Sequence, residues 1–430
     1  MHYCAATRVN IINKIHIIGL GVVAQAQLSD QALQAINKAD LIVGSKRQLQ
    51  VIETVLNALP KPPQCQQLPA LSALKNLINA HTASSVVVLA SGDPLYYGIG
   101  RWFSRHFAVE RLVFYPAVSS VQAVCHALGL ALQDVDVLSL HGRPLETIRR
   151  YLQMNKTLLV LTDKHSTPQA LAKECYAAGL LESEVWVCEK LGYKEQRIRH
   201  YSVNDLLALG PLEVDPLHVT VIKTKGRGGI QPVAPGIVDH AFQTGQAAGT
   251  GMISKREVRL AVLSMMGVVD EDIVWDVGAG CGGVSVELAR WNSRAQVYAI
   301  EQNEERLAWL TCNIRQFGVS LNCHPILGRA PLAFEALPSP SKVFIGGSDG
   351  ALSILLPDLW QRLPEHGVLM ATAVTDKTKD VLQRFCQSHL NASIECVELS
   401  VGRGELTDNG FLFNKKRPVM IVKLQKGMLV

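Results

Sequence analysis

Short apolar runs bounded by polar and turn-forming residues recur along this chain. Val86–Ala90 and Leu158–Leu161 are among the longest, the length of strands covered on both faces. None approaches the roughly 18 consecutive apolar residues of a membrane span. The pattern predicts a first strand at Lys14–Gly19, after a short extension without the charged, apolar and small-residue order of a secretory leader. Further strands are predicted within Val86–Pro94, Thr157–Asp163 and Glu184–Lys190. A helix lies between the last two, with Thr167 as N-cap, Pro168 at the first helical position and Gly179 just past the end. Alternation of this kind points to α/β architecture.

The stretch Lys223–Met252 is rich in Gly and Ala, is interrupted by Pro232 and Pro235, and lacks sustained periodicity. It reads as a linker, placed at residues 229–250, between domains spanning 1–228 and 251–430. After it, Ser254 and Glu257 have the spacing of a capping box for a helix that Gly267 ends. Then come a strand at Ile273–Val277, a glycine-rich turn, a helix, and a strand at Gln296–Ile300 ending at Glu301. A helix over about Glu304–Phe317 and a strand at Lys342–Ile345 follow. No internal repeat links the halves, so two different α/β domains are expected, as the 430-residue length also favours.

Composition excludes several classes. The chain is 48% apolar and 18% charged, with a net charge of +5, and it has neither a long Lys/Arg block nor arginines interleaved with aromatics. Nucleic acid and membrane are therefore not expected partners. Ten cysteines form no C-x-x-C pair and thirteen histidines no H-E-x-x-H, so neither a metal site nor a disulfide framework is expected. Cys323–His324 is read as an incidental adjacency, and a reducing cytoplasm is the simplest compartment.

The candidate chemistry begins at VWDVGAGCGGVSVELAR, residues 274–290. Gly278, Gly280 and Gly283 satisfy G-x-G-x-x-G between a strand and a helix, and Glu301 ends the next strand. Glycines let the backbone approach a ligand, and the acid accepts hydrogen bonds from ribose hydroxyls. Asp276, two residues ahead of the turn, would oppose a pyrophosphate there but suits the ammonium and sulfonium of S-adenosylmethionine. That disfavours a nicotinamide oxidoreductase and points to a class I methyltransferase.

WDVGAGCGGVSVELA, VYAIEQNEERL and FIGGSDG at Phe344–Gly350 resemble the C-terminal methylase domain of precorrin-6Y methyltransferases of cobalamin synthesis. The resemblance implies that Ser254, Asp276, Gly278, Ala279, Gly280, Cys281, Gly282, Glu301 and Ala330 bind the cofactor. It sets Gly347 and Ser348 on the substrate side as candidates, with no catalytic acid or base identified. The chain departs from that family at Arg329, where Gly-Asp-Ala is usual and Gly328-Arg329-Ala330 stands here.

Ahead of the linker, ASGDPLYYG at Ala90–Gly98 and PAVSSVQAVCHALGL at Pro116–Leu130 resemble the tetrapyrrole methylase family. HGRP at His141–Pro144 and EKLGYKEQRI at Glu189–Ile198 resemble its carbon-5 branch. The resemblance assigns Gly21, Gly92, Asp93, Ser119 and Ser120 to a second S-adenosylmethionine site, giving one site per domain. The first turn departs from the family's Gly-x-Gly-Pro-Gly-Asp, because Val22, Val23 and Ala24 follow Gly21.

Together these features imply an α/β chain with an N-terminal two-lobed tetrapyrrole-methylase-like domain and a C-terminal Rossmann-like class I methyltransferase domain. They imply methylation of a precorrin at carbon-5 by the first and at carbon-15, with loss of the ring C acetate carboxyl, by the second. A homo-oligomer is expected. Arg143, Lys164, Lys190 and Arg403 are candidate partners for substrate carboxylates, each with the plainer reading of a solvated charge. Two alternatives stay open: a cobalt-loaded precorrin as substrate, or a class I methyltransferase on another substrate with a non-catalytic N-terminal domain.

Overall fold

The structure is a computed structural model that describes residues 14–81, 85–228, 231–245 and 253–427. The expected N-terminal extension and the end of the expected linker, residues 246–250, lie outside these. The chain divides into two compact units. The first holds the described residues up to His141, with Asn155–Lys173 and Leu181–Gly226; the second holds Gly142–Met154, Glu174–Leu180 and the residues from Arg227 on.

The first unit contains two five-stranded sheets. One is built from β1 (Ile15–Gly19), β2 (Leu41–Gly44), β3 (Gln64–Gln67), β4 (Val86–Ala90) and β5 (Leu112–Tyr115), ordered β3-β2-β4-β1-β5. All its pairings are parallel. This explains why β4 reads as one apolar run: every residue of Val86–Ala90 is buried. The other sheet uses β6 (Asp136–Ser139), β7 (Thr157–Leu161), β8 (Glu184–Glu189), β9 (Arg197–Ser202) and β10 (His218–Lys223), ordered β6-β7-β10-β8-β9. Only β6–β7 is parallel. The helix Ser120–Leu128 packs Val121, Val124 and Cys125 on Leu159, Cys188, Val219 and Val221 of this sheet. Between β7 and β8 the helix Pro168–Ala177 starts with Thr167 Oγ1 accepting from the Ala170 N–H at 3.2 Å. Gly179 follows it with a left-handed φ of 73°.

The second unit carries a seven-stranded sheet. Its strands are β11 (Ile273–Val277), β12 (Gln296–Glu301), β13 (Cys323–Leu327), β14 (Lys342–Ile345), β15 (Val368–Ala373), β16 (Ser393–Leu399) and, after the hairpin below, β19 (Val419–Gln425). Their order is β13-β12-β11-β14-β15-β19-β16. The first five run parallel, and β19 lies antiparallel to both its neighbours. Strand order reverses between β11 and β14, which opens a crevice at their carboxyl ends. Between β16 and β19, β17 (Gly402–Thr407) and β18 (Gly410–Lys415) form a hairpin whose strands are exposed at every residue.

Two expectations change here. Residues 231–245 are folded into the second unit: Ile237 and Phe242 are buried in a core with Val258, Val262, Leu310 and Phe317. Side chains of that unit satisfy the segment's backbone. The Gly236 N–H donates to Glu287 and the Gln243 N–H to Asn313, while Gln316 donates to the Ala241 carbonyl. A segment hydrogen-bonded in this way has no periodicity of its own to read. Ser254 also does not cap the next helix, which runs Arg256–Met266 with Lys255 as N-cap and no side-chain cap. The Arg256 N–H instead donates to Asp239 at 3.0 Å, a partner supplied by tertiary structure. The expected end holds, with Gly267 at φ 52°.

Candidate active site

In the second unit, the crevice at the β11/β14 reversal is a cavity of about 840 Å³. Ser254, Asp276, Gly278, Ala279, Gly280, Cys281, Glu301, Ala330, Gly347 and Ser348 all lie on its wall. The turn after β11 takes left-handed φ at Gly278, Gly280 and Gly282, of 74°, 59° and 84°. A Cβ on Gly278 would stand 2.2 Å from the Gly347 carbonyl oxygen, so the two loops meet backbone to backbone. The Gly346 N–H donates to the Val277 carbonyl at 3.0 Å and completes that junction. Gly282 is not on the wall; a Cβ there would strike Leu310 Cδ1 at 2.2 Å, so its glycine serves packing beneath the turn.

The two acids of the site differ. Glu301 is buried, and its carboxylate accepts from the Gly280 N–H and the Asn303 N–H, each at 2.9 Å. It thereby pins the glycine turn while each oxygen keeps a lone pair for hydroxyl donors. Asp276 is 1% exposed. One of its oxygens accepts from Ser285 Oγ, and Oδ1 has no partner among the described residues. Burial, with Glu301 nearby, pushes its carboxyl up to about 7 against the opposing Ser285 hydrogen bonds. Asp276 lines the cavity, and a buried carboxylate oxygen left without a partner there calls for a donor or a cation.

At the rim, Arg329 comes within 3.9 Å of Asp349, which also accepts from Gln302 Nε2 at 3.3 Å. Arg329, Asp349, Gln302 and Arg306 line the cavity, as do Thr372 near the end of β15 and Val374 just past it. Gln302, Arg306 and Asp349 fall inside the quoted motifs without being singled out, whereas Thr372 and Val374 lie outside them and reach the crevice through tertiary folding alone. Two of the candidate carboxylate partners are already engaged: Lys190 pairs with Asp215 at 3.3 Å, and Arg403 with Asp239 at 2.7 Å.

In the first unit, the loops after β1, β4 and β5 converge. The Gly92 N–H donates to the Gly21 carbonyl at 3.2 Å, and a Cβ on Gly92 would reach 3.3 Å from Ser119 Cα. Asp93 Oδ1 accepts from the Leu95 and Tyr96 N–H groups at 2.8 and 3.1 Å, and Oδ2 accepts from the Ala117 N–H at 3.3 Å. Ser119 caps the helix beginning at Ser120, in a capping box with Gln122. The divergent first turn has its own packing: Val22 lies against the Val121–Leu191 core, and a Cβ on Gly192 would collide with the Val22 carbonyl at 1.9 Å.

Comparison with known proteins covers both units. Residues 14–207 match the tetrapyrrole (corrin/porphyrin) methylases, and residues 246–426 match the precorrin methyltransferase domain. The precorrin-6Y C(5,15)-methyltransferase [decarboxylating] of Sinorhizobium sp is 33% identical over 372 residues, covering 85% of this chain and 86% of that one. The Mycobacterium tuberculosis protein of the same name is 31% identical over 369 residues, covering 86% and 89%. The cobalt-precorrin-7 C(5)-methyltransferase of Salmonella typhimurium is 30% identical over 199 residues, 44% of this chain and 90% of its own. With both units matched in order and relatives aligned along most of its length, this chain belongs to the precorrin-6Y C(5,15)-methyltransferase (decarboxylating) family.

Proposed function

We propose that the chain methylates one precorrin at two carbons, using S-adenosylmethionine in each unit. Residues 251–430 serve carbon-15 and the decarboxylation; residues 1–228 serve carbon-5. The observation that carries the reading is the unpaired Asp276 oxygen beside a glycine turn with no room for a side chain at Gly278. A sulfonium cofactor bearing an ammonium group fits this site, whereas a pyrophosphate beside Asp276 does not. Such a cofactor supplies an electrophilic methyl group.

The chain's own contribution is placement. Asp276 receives the ammonium, Glu301 the ribose hydroxyls, and the Gly347–Ser348 loop borders the substrate side. No acid–base pair is needed to attack from an electron-rich ring carbon, so alignment supplies most of the rate. Methylation at carbon-15 leaves an iminium-like ring that accepts the electron pair freed as the acetate loses carbon dioxide. In the first unit, Asp93 holds the loops while Gly21, Gly92, Ser119 and Ser120 offer backbone and hydroxyl groups.

Mass spectrometry of the product tests this with cobalt-free and cobalt-loaded precorrin supplied in parallel. Two added methyl groups and one lost carbon dioxide are expected from one of the substrates, and which one reacts decides between the branches. Absence of any methylated tetrapyrrole from either would overturn the reading. Self-association is part of the proposal, supported by the exposed Leu406, Phe411 and Phe413 on the hairpin. Light scattering of a Phe411→Ser, Phe413→Ser double variant tests it, with a smaller species expected. A reducing cytoplasm is supported by the nine unpaired cysteines among the described residues.

A further inference from the structure

The least explained charge in the second unit is Arg259, whose side chain is 0% exposed. It lies beneath the glycine turn rather than in the cavity. Nε donates to Glu287 at 2.7 Å, and Nη1 donates to Asp239 at 2.8 Å and to the Ser254 carbonyl at 2.5 Å. Nη2 donates to the Ile237 carbonyl. Its aliphatic stem also underlies Gly283, where an added Cβ would meet Arg259 Cδ at 3.2 Å and Ile253 Cγ1 at 2.9 Å.

These contacts fall on three separate segments. Ile253 and Ser254 form one wall of the cavity, Gly283–Trp291 is the helix opened by the glycine turn, and 236–239 is the strap read from sequence as linker. Glu287 closes the circuit by accepting from the Gly236 N–H at 2.7 Å. Asp239 also accepts from the Arg256 N–H that starts the next helix, and from Arg403 at the base of the hairpin. Burial alone would raise the Asp239 carboxyl, yet the Arg259 and Arg403 guanidiniums hold it below its ordinary value. A buried charge is retained at this cost only with its partners in place. A planar fork with donors in several directions suits this junction, where a lysine ammonium does not.

We propose that Arg259 is a positioning residue for the cofactor pocket, fixing the Ser254 wall against the glycine-turn helix through one guanidinium. The inference rests on the cofactor reading above. It predicts a loss in S-adenosylmethionine binding beyond any loss of stability.

The test compares Arg259→Lys and Arg259→Gln with Arg290→Gln in the full chain. Arg290 is also buried, on the same helix, but donates to the Phe317 and Pro232 carbonyls away from the cavity. Thermal unfolding is measured for each, with KM for S-adenosylmethionine and kcat of the decarboxylating step well below the melting temperature. All three variants are expected to melt earlier. Only those at Arg259 should raise KM, by roughly tenfold to a hundredfold, with kcat at saturation largely kept. If Arg259→Gln does not fold, Arg259→Lys decides, since it keeps the charge but cannot span the three segments. An unchanged KM in a folded Arg259 variant overturns the proposal, as does an equal rise in Arg290→Gln. A wild-type chain that binds no S-adenosylmethionine overturns the cofactor reading itself, and this inference with it.

Discussion

Each unit sets an aspartate beside a glycine-bearing turn, and the two are used in opposite ways. Asp93 spends both oxygens on backbone amides, tying together the loops after β4 and β5. Asp276 lines a cavity and leaves Oδ1 without a partner among the described residues. The first carboxylate is spent on loop structure; under the proposed function the second is itself the recognising group. An acidic residue near a glycine turn is therefore not one signal. What separates the cases is which amides come within reach of the carboxylate.

The largest effect that tests this contrast comes from Gly278→Ala. The added carbon would sit 2.2 Å from a carbonyl oxygen at a left-handed φ, so the turn and the Gly346–Gly347 loop must separate. Product mass spectrometry should show decarboxylation reduced to background.

Next is Asp276→Asn. Losing a charged partner for an ammonium is worth about 1.5–3 kcal/mol, so titration calorimetry should show affinity at this site reduced by at least roughly tenfold. The pH dependence has a definite sign. The neutral carboxyl is favoured in the ligand-free fold, so its contribution to stability is complete below the ordinary aspartate range and lost as pH rises through about 7. Cofactor affinity should run the other way, rising through the same window as the carboxylate forms. The asparagine variant should flatten both profiles and melt higher than wild type at pH 8 without cofactor. A wild-type affinity that does not change across that window would break the assignment of Asp276 to the ammonium.

Asp93→Ala should do less to binding chemistry and more to loop order. Three amide partners lose their acceptor, for a cost of about 1–3 kcal/mol spread over exposed and half-buried bonds. Hydrogen exchange over residues 93–97 and 116–118 should quicken, and carbon-5 transfer should fall while the decarboxylating step holds. The smallest effect belongs to Arg329→Gln. Its pairing with Asp349 spans 3.9 Å between mostly exposed side chains, so the unfolding free energy from denaturant titration should change by less than about 1 kcal/mol. A shift well beyond that would show that the rim is built more tightly than its geometry indicates.

Much of the C-terminal fold is legible because local pattern and tertiary role agree. Ile273–Val277 and Lys342–Ile345 read as strands and are strands, and Gly267 ends its helix in the left-handed conformation that favours glycine. Gly278 stands out as a turn, but its contact with Gly347 links separate strand ends and leaves no local trace. Ser254 has a cap's spacing, yet Asp239 takes the amide that a cap would satisfy. Arg259 sits in an ordinary amphipathic helix, where nothing in the pattern distinguishes a buried guanidinium from a solvated one.

The folding of 231–245 into the second unit bears on any attempt to separate the halves. A fragment started at residue 251 would lack Ile237, Phe242 and Asp239, opening a void over Val258 and Phe317 and leaving Arg259 with Glu287 as its one carboxylate partner. Such a half would fail for reasons unrelated to catalysis. Any dissection or recombination of these enzymes therefore has to keep 231–245 with the methylase it completes.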